Sequence, residues 1–442
     1  MPKQIFRLRA VLALATVALI SARAYALDTD QLDPSALLSM KPHTAHQPLG
    51  AGGGGVLGNR FYGASLGLDT LTNFSGYFYD PGVVPSPGGD FLQFTWQYTM
   101  VGRSPVGTHD REEGDDSVRT VVRSPIVPVI IDLRNYDGSP RYYPGPNGPV
   151  RMILDPTQYI QPVLKSPIFE PTHYDSSFAP TQFTDAIMRA EFFSDAGPGW
   201  HTLLRPVIAP TRTMVLVRGT YRFAVDSTGH VIYVLVDDNT FAAELFPPTP
   251  DDTSSVMGAA ENAGDIRTKD LSTFLFANTF LYQNGNPADC CILGYHTYDV
   301  EPGGSDNGFR ERRYVMDYSS WISPGLFGPA FTDVTALSHE LSEAFNDPFV
   351  NNATPIWVAP NGNCQNNLET GDVIEGLPNA TIPITLNGFT YHPQNEALLE
   401  WFAGQQPSSA VDHAYSYPDA TVLPTPAVSV HSDCATPVVV PH

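Results

Sequence analysis

The stretch that most constrains this chain reads Thr335-Ala-Leu-Ser-His339-Glu340-Leu-Ser-Glu343-Ala-Phe-Asn-Asp347-Pro348. In a helix, at about 100° per residue, His339, Glu343 and Asp347 drift by only about 40° per step and share one face. Leu337, Leu341, Ala344 and Phe345, with Val334 a turn earlier, form an adjoining apolar stripe able to bury against a sheet. Asp347 precedes Pro348, and the residue before proline is pushed out of the helical region, so the helix should end there.

Length and charge narrow the setting. The 442 residues suffice for two domains and a sizeable core. The 41 Pro and 36 Gly favour turns and loops over long helices. The net charge of -22 becomes more negative once a presequence carrying Lys3, Arg7, Arg9 and Arg23 is removed. That balance argues against nucleic acid or an anionic membrane as partner, because phosphate binding needs clustered Lys and Arg.

Residues 1–26 have the form of a signal peptide: a basic start, the apolar run Ala10–Ile20, and Ala24-Tyr25-Ala26 as a small-x-small cleavage pattern. The run is too short to span a bilayer, so the chain is expected to be secreted. Residues 27–59, with Gly50–Gly58, are expected as a flexible linker. Gly63-Ala-Ser65-Leu-Gly67 matches the nucleophile-elbow spacing, but no buried strand precedes it and no helical stripe follows. Ser65 therefore reads as a turn serine.

The fold class expected is α+β: a β-rich part at 60–250, then an α+β domain at 251–420 with the motif helix packed on a mixed sheet, then an extended tail at 421–442. Strands are expected around Phe91–Val101, Val118–Leu133, Thr213–Val225, His230–Asp237, the run LSTFLFANTFLY from Leu271, Cys290–Tyr298 and Arg313–Trp321. A helix at Thr181–Phe193 carries Asp185, Arg189 and Glu191 as a solvated or salt-bridged face, and a short helix is expected within 390–402. Ile322–Phe331 reads as a loop.

The chemistry sits in the second part. In H-E-x-x-H, two histidines a turn apart bind zinc and the intervening Glu is the general base. Here Glu343 stands at the second histidine position. Zinc accepts carboxylate oxygen as well as imidazole nitrogen. A set of His339, Glu343 and one of Asp347, Glu369 or Asp372 is harder than a two-histidine set, which shifts preference toward calcium, manganese or ferrous iron relative to such a site; zinc still leads, with calcium or manganese as alternatives. Glu340 would be the general base for a water held at the metal. His296 would be either a second nitrogen ligand or a hydrogen-bond donor to an intermediate. His392, beside Pro393, ranks lower and reads as a cap. Without metal, His339, Glu343 and Asp347 would form a hydrogen-bonded helix face.

His339-Glu340-x-x-Glu343-x-x-x-Asp347-Pro348, with Gly294-Tyr295-His296 before it and Glu369-x-Gly371-Asp372 after it, resembles an exported bacterial group of zincin-like proteins. In that group H-E-x-x-E-x-x-x-D-P is followed by E-x-G-D beside a cysteine. The plant phosphate-induced (EXORDIUM-like) proteins carry a similar stretch. The resemblance covers about residues 285–375 and implies a zincin-like domain and a metallopeptidase-like hydrolase with a peptide or protein substrate. It supplies neither a substrate identity nor a secure reaction. A non-catalytic exported binding or cell-surface protein that keeps the metal site as scaffold is the alternative.

Cysteines of an exported chain are expected in disulfides. Cys290 and Cys291 are adjacent, so they are expected to reach Cys364 and Cys434 rather than each other, and one such bridge would tie two motif pieces together.

Overall fold

The computed structural model describes residues 28–40, 71–79, 93–174, 178–302, 311–329 and 331–427, with positions 42, 305 and 309. The expected signal peptide, the Gly50–Gly58 run, Ser65 and Cys434 lie outside the described residues. The content is mixed, with strand at 37% outweighing helix at 17%, as the proline and glycine content implies.

The largest sheet has eight strands. At one edge Gly294–Glu301 runs antiparallel to Arg312–Phe327. Arg312–Phe327 is parallel to Leu271–Ala277, which is parallel to Arg119–Arg134. Arg119–Arg134 pairs in parallel with His201–Ile208 along its first half and with Arg212–Val217 along its second, so the mixed sheet curls. Strands from both sides of residue 250 thus share it. The Arg312–Phe327 strand runs through much of the segment read as a loop, and Phe331–Asp333 pairs back onto it.

A second sheet orders Cys290–Ile292, Thr279–Tyr282, Val231–Asp237 and Tyr221–Val225. The run LSTFLFANTFLY is therefore two strands in two sheets, not one. Asn278 makes the break at φ 44, a left-handed conformation that Asn tolerates better than most residues. Its amide holds both sheets, donating to the Ile232 carbonyl at 2.8 Å and the Ser323 hydroxyl at 3.0 Å.

Alternate residues of the central strands face opposite cores. Leu271, Leu275 and Val315 join one apolar cluster, while Phe274, Phe276, Met316 and Tyr318 join the other. With both faces covered, such strands read as continuous apolar runs. The motif helix, Thr335–Asn346, lies in the first cluster through Leu337, Leu341, Ala344 and Phe345 and ends before Asp347-Pro348. All twelve of its residues are buried, the polar face included.

Three further expectations change. The helix Phe183–Glu191 buries Asp185, Arg189 and Glu191, because it packs between the sheet and the motif helix; the solvated alternative fails, while Asp185 does meet a partner, His201, at 2.7 Å. Within 390–402 only Leu399–Phe402 is helical; Glu396–Ala397 is a strand paired with Ser416–Tyr417. Residues 28–40 fall in the stretch read as a linker, yet they are tied to the body. Asp30 pairs with Arg218 at 2.7 Å, Asp28 with Arg141 and Arg218, and Leu37 is fully buried.

The cysteine pairing is corrected. Cys290 and Cys291 are bonded to each other, across a cis peptide that sets their Cα atoms 3.1 Å apart. The ring closes locally, so neither cysteine is left to tie the strand to Cys364. Cys364 is itself disulfide-bonded, as expected.

Candidate metal centre

Glu343 is the hub of the site. Its Oε1 accepts the backbone N–H groups of Gly371 and Asp372 at 3.0 and 3.2 Å, which fixes the carboxylate. Its Oε2 lies 3.2 Å from His339 Nε2 and 3.4 Å from His296 Nδ1. His339 and Glu343 meet because they are one helical turn apart. His296 arrives from the edge strand Gly294–Glu301.

The 369–372 loop closes the group. Asp372 Oδ1 is 3.6 Å from His339 Nε2, and Glu369 Oε2 is 4.0 Å from His296 Nε2. Asp372 is oriented by Gln365, whose side-chain amide donates to Oδ2. The loop approaches this closely because position 371 lacks a side chain: a Cβ there would sit 2.7 Å from the His339 ring. Gly294 does the same beside Glu340, where a Cβ would fall 2.6 Å from Oε1.

Glu340 borders the group rather than joining it, with Oε2 3.7 Å from His296 Nδ1 and Oε1 4.0 Å from His339 Nε2. Asp347, a ligand candidate in the sequence, is used differently. Its carboxylate accepts the N–H groups of Asn351 and Asn352, closing the turn after the helix. Its carbonyl lies 3.0 Å from His296 Nε2. A carbonyl only accepts, so Nε2 carries a proton, and Nδ1, which faces Glu343, is the nitrogen that would ligate once it gives up its own proton. A ring N–H held by a backbone carbonyl is the usual support of a metal-ligating imidazole. His392 stays apart, bonded to Asp333 at 2.7 Å, and its carbonyl accepts the Thr335 hydroxyl at the start of the motif helix.

Two overlapping sets result, His339–Glu343–Asp372 and His296–Glu343–Glu369, each with its ligand atoms within 4.8 Å of one another. All five residues and Glu340 are more than nine-tenths buried. Burial would lower the proton affinity of His339, yet Glu343 and Glu340 hold it well above the usual imidazole range. His296 is held up in the same way by Glu340, Glu343 and Glu369. Burial would raise Glu343, but the two imidazoles hold it below the usual carboxylate range. Farther out, burial pushes Glu375 up to about 8 and Glu396 well above the ordinary value. Four carboxylates around two imidazoles leave an anionic excess that a cation would relieve. The donor chemistry fits a divalent ion.

Sequence reasoning missed Glu375, Glu396 and Asp317. Glu375 continues a spacing of three from Glu369 through Asp372, the one pattern that could have revealed it. Asp317 lies opposite His296 in the sheet register and accepts from the Thr273 and Ser319 hydroxyls. No known protein family, curated protein or solved structure matches the chain.

Proposed function

We propose that this chain is a metal-dependent hydrolase acting on a peptide or protein, with His339, Glu343, Asp372, His296 and Glu369 as the ligand set and Glu340 as general base. The observation that carries the reading is the convergence of two imidazoles and two further carboxylates on Glu343, with Glu340 beside both rings but in neither set. A divalent ion in such a set supplies Lewis acidity and lowers the pKa of water. Zinc leads, and the carboxylate share keeps calcium and manganese as alternatives. Glu340 then takes the proton from the attacking water and returns it to the leaving group. His296, with its Nε2 proton held by Asp347, serves as a nitrogen ligand.

The zincin-like character and the exported location are part of the same proposal. They rest on the H-E-x-x-E-x-x-x-D-P and E-x-G-D pieces and on residues 1–26. Among the described residues no helix is long and apolar enough to cross a membrane.

A second reading is a closed structural metal site in a non-catalytic exported binding or cell-surface protein, and the burial of every ligand favours it. Two variants separate the readings in a casein or peptide-library assay with metal content measured. His339→Ala should lose both metal and activity. Glu340→Gln should keep metal and fold but lose turnover by about 10²–10⁴-fold. A wild type that binds metal yet cleaves nothing, with Glu340→Gln identical to it, would leave the closed site as the function.

A further inference from the structure

The edge strand that delivers His296 carries a second acidic group on its other face. Residues alternate across a strand, so His296 and Tyr298 face the motif helix, while Asp299 and Glu301 face the short helix Val256–Asn262. That helix contributes Glu261. One oxygen from each of Glu261, Asp299 and Glu301 lies within 4.8 Å of the other two. Their exposures are 8%, 5% and 5%, so three carboxylates sit together out of water.

Neighbouring acids alone do not make a site. The telling feature is Glu261: both of its carboxylate oxygens are buried and neither has a hydrogen-bond partner. A buried acceptor left unpartnered is costly, and here it points at two more acids. Arg312 approaches Glu301 at 3.6 Å from the outer side, but its side chain is 30% exposed and it lies against one carboxylate of the three. The group therefore holds more negative charge than protein cations cancel. Burial drives all three carboxyls upward.

From this the geometry points to a second cation site, formed by Glu261, Asp299 and Glu301, that takes a hard divalent ion of the calcium class. An all-oxygen, all-carboxylate set without imidazole or thiolate suits calcium. The ion would cross-link the Val256–Asn262 helix to the edge strand and so steady the strand that presents His296. The site shares no residue with the His339 centre and does not depend on the hydrolase reading.

The test is calcium binding by the full-length protein with its His339 centre undisturbed, using CaCl₂ in equilibrium dialysis and thermal unfolding. The wild type should bind one calcium saturably at this group, with Kd between about 10⁻⁵ and 10⁻³ M, from the weak end of sensor sites to extracellular modules, and its unfolding midpoint should rise with calcium. Glu261→Gln should weaken binding at least tenfold and abolish the thermal response. Asp299→Asn should do the same and covers the case in which Glu261→Gln fails to fold. His339→Ala should leave this calcium in place, so failure of the other centre is told apart. Wild type without saturable calcium uptake below 10 mM, or uptake unchanged in both carboxylate variants, overturns the proposal. A Glu261→Gln protein more stable than calcium-free wild type, with no calcium response in either, would show instead that the acids are held protonated.

Discussion

Two buried helices of this fold carry histidine–carboxylate contacts, and they differ in charge balance. In Phe183–Glu191, Asp185 accepts from the Thr181 hydroxyl at 2.6 Å and the Thr202 N–H, and meets His201 Nδ1 at 2.7 Å. Arg189 on the same helix donates to the Pro198 and Trp200 carbonyls. There one carboxylate is matched by abundant donors. In Thr335–Asn346, His339 and Glu343 meet three further acids and one further imidazole, and donors do not keep pace. Burial of charge is common to both helices. Several acids crowding the same imidazoles is what sets the His339 group apart from Asp185; buried carboxylates short of donors recur at Glu261 and at Glu191, the last residue of the first helix.

The largest effect expected is at the hub. Glu343→Ala removes the oxygen shared by both ligand sets, so metal content should fall from stoichiometric to background, as elemental analysis after dialysis would read. Asp185→Asn, the matched change in the other helix, should destabilise by about 3 kcal/mol in urea unfolding, the scale for breaking a buried pair. It should leave metal content untouched. Metal loss in Asp185→Asn, or its retention in Glu343→Ala, would erase the distinction between the helices.

A middle-sized effect concerns pH. Glu191 and Glu400 are both buried where the two helices approach the Leu399–Phe402 turn. Burial pushes Glu400 up to about 8, and burial with the nearby Glu400 raises Glu191 well above its ordinary value. A carboxyl raised in the fold binds its proton more tightly there than when unfolded. Its stabilisation is full below the unfolded pKa and is lost as pH rises through the folded one. The unfolding midpoint should therefore fall between about pH 5 and pH 8, and Glu400→Gln, which mimics the neutral acid, should flatten that slope. The smallest effect is at Gln365. Gln365→Ala frees Asp372 to turn and should weaken metal affinity about 10-fold, the lower end for ligand-supporting groups; competition with a chelator would measure it.

Much of the motif region was legible in the sequence because its determinants are local. Helical spacing puts His339 and Glu343 together, Pro348 fixes where the helix stops, and the Glu369–Asp372 loop was within reach as a ligand source. What escaped depends on tertiary geometry. Asp347 shares the helical face, but it leaves the helical conformation before proline, and its carboxylate is taken by the Asn351 and Asn352 backbone amides. Asn278 splits an apolar run between two sheets, and no periodicity marks that break. Glu375, Glu396 and Glu261 sit in short or irregular elements where apolar spacing says nothing about which acid is buried. Cys290 pairs with Cys291 across a cis peptide within a strand, a backbone detail that composition does not encode.

The most direct test is anomalous scattering from crystals of the protein purified without chelator, with data collected on both sides of the absorption edge of the metal found in it. A single edge-dependent peak is expected within bonding distance of His339 Nε2 and Glu343, close to His296 Nδ1 and Asp372 Oδ1. Crystals grown with zinc, manganese or calcium that show no density between these groups would contradict the metal centre itself.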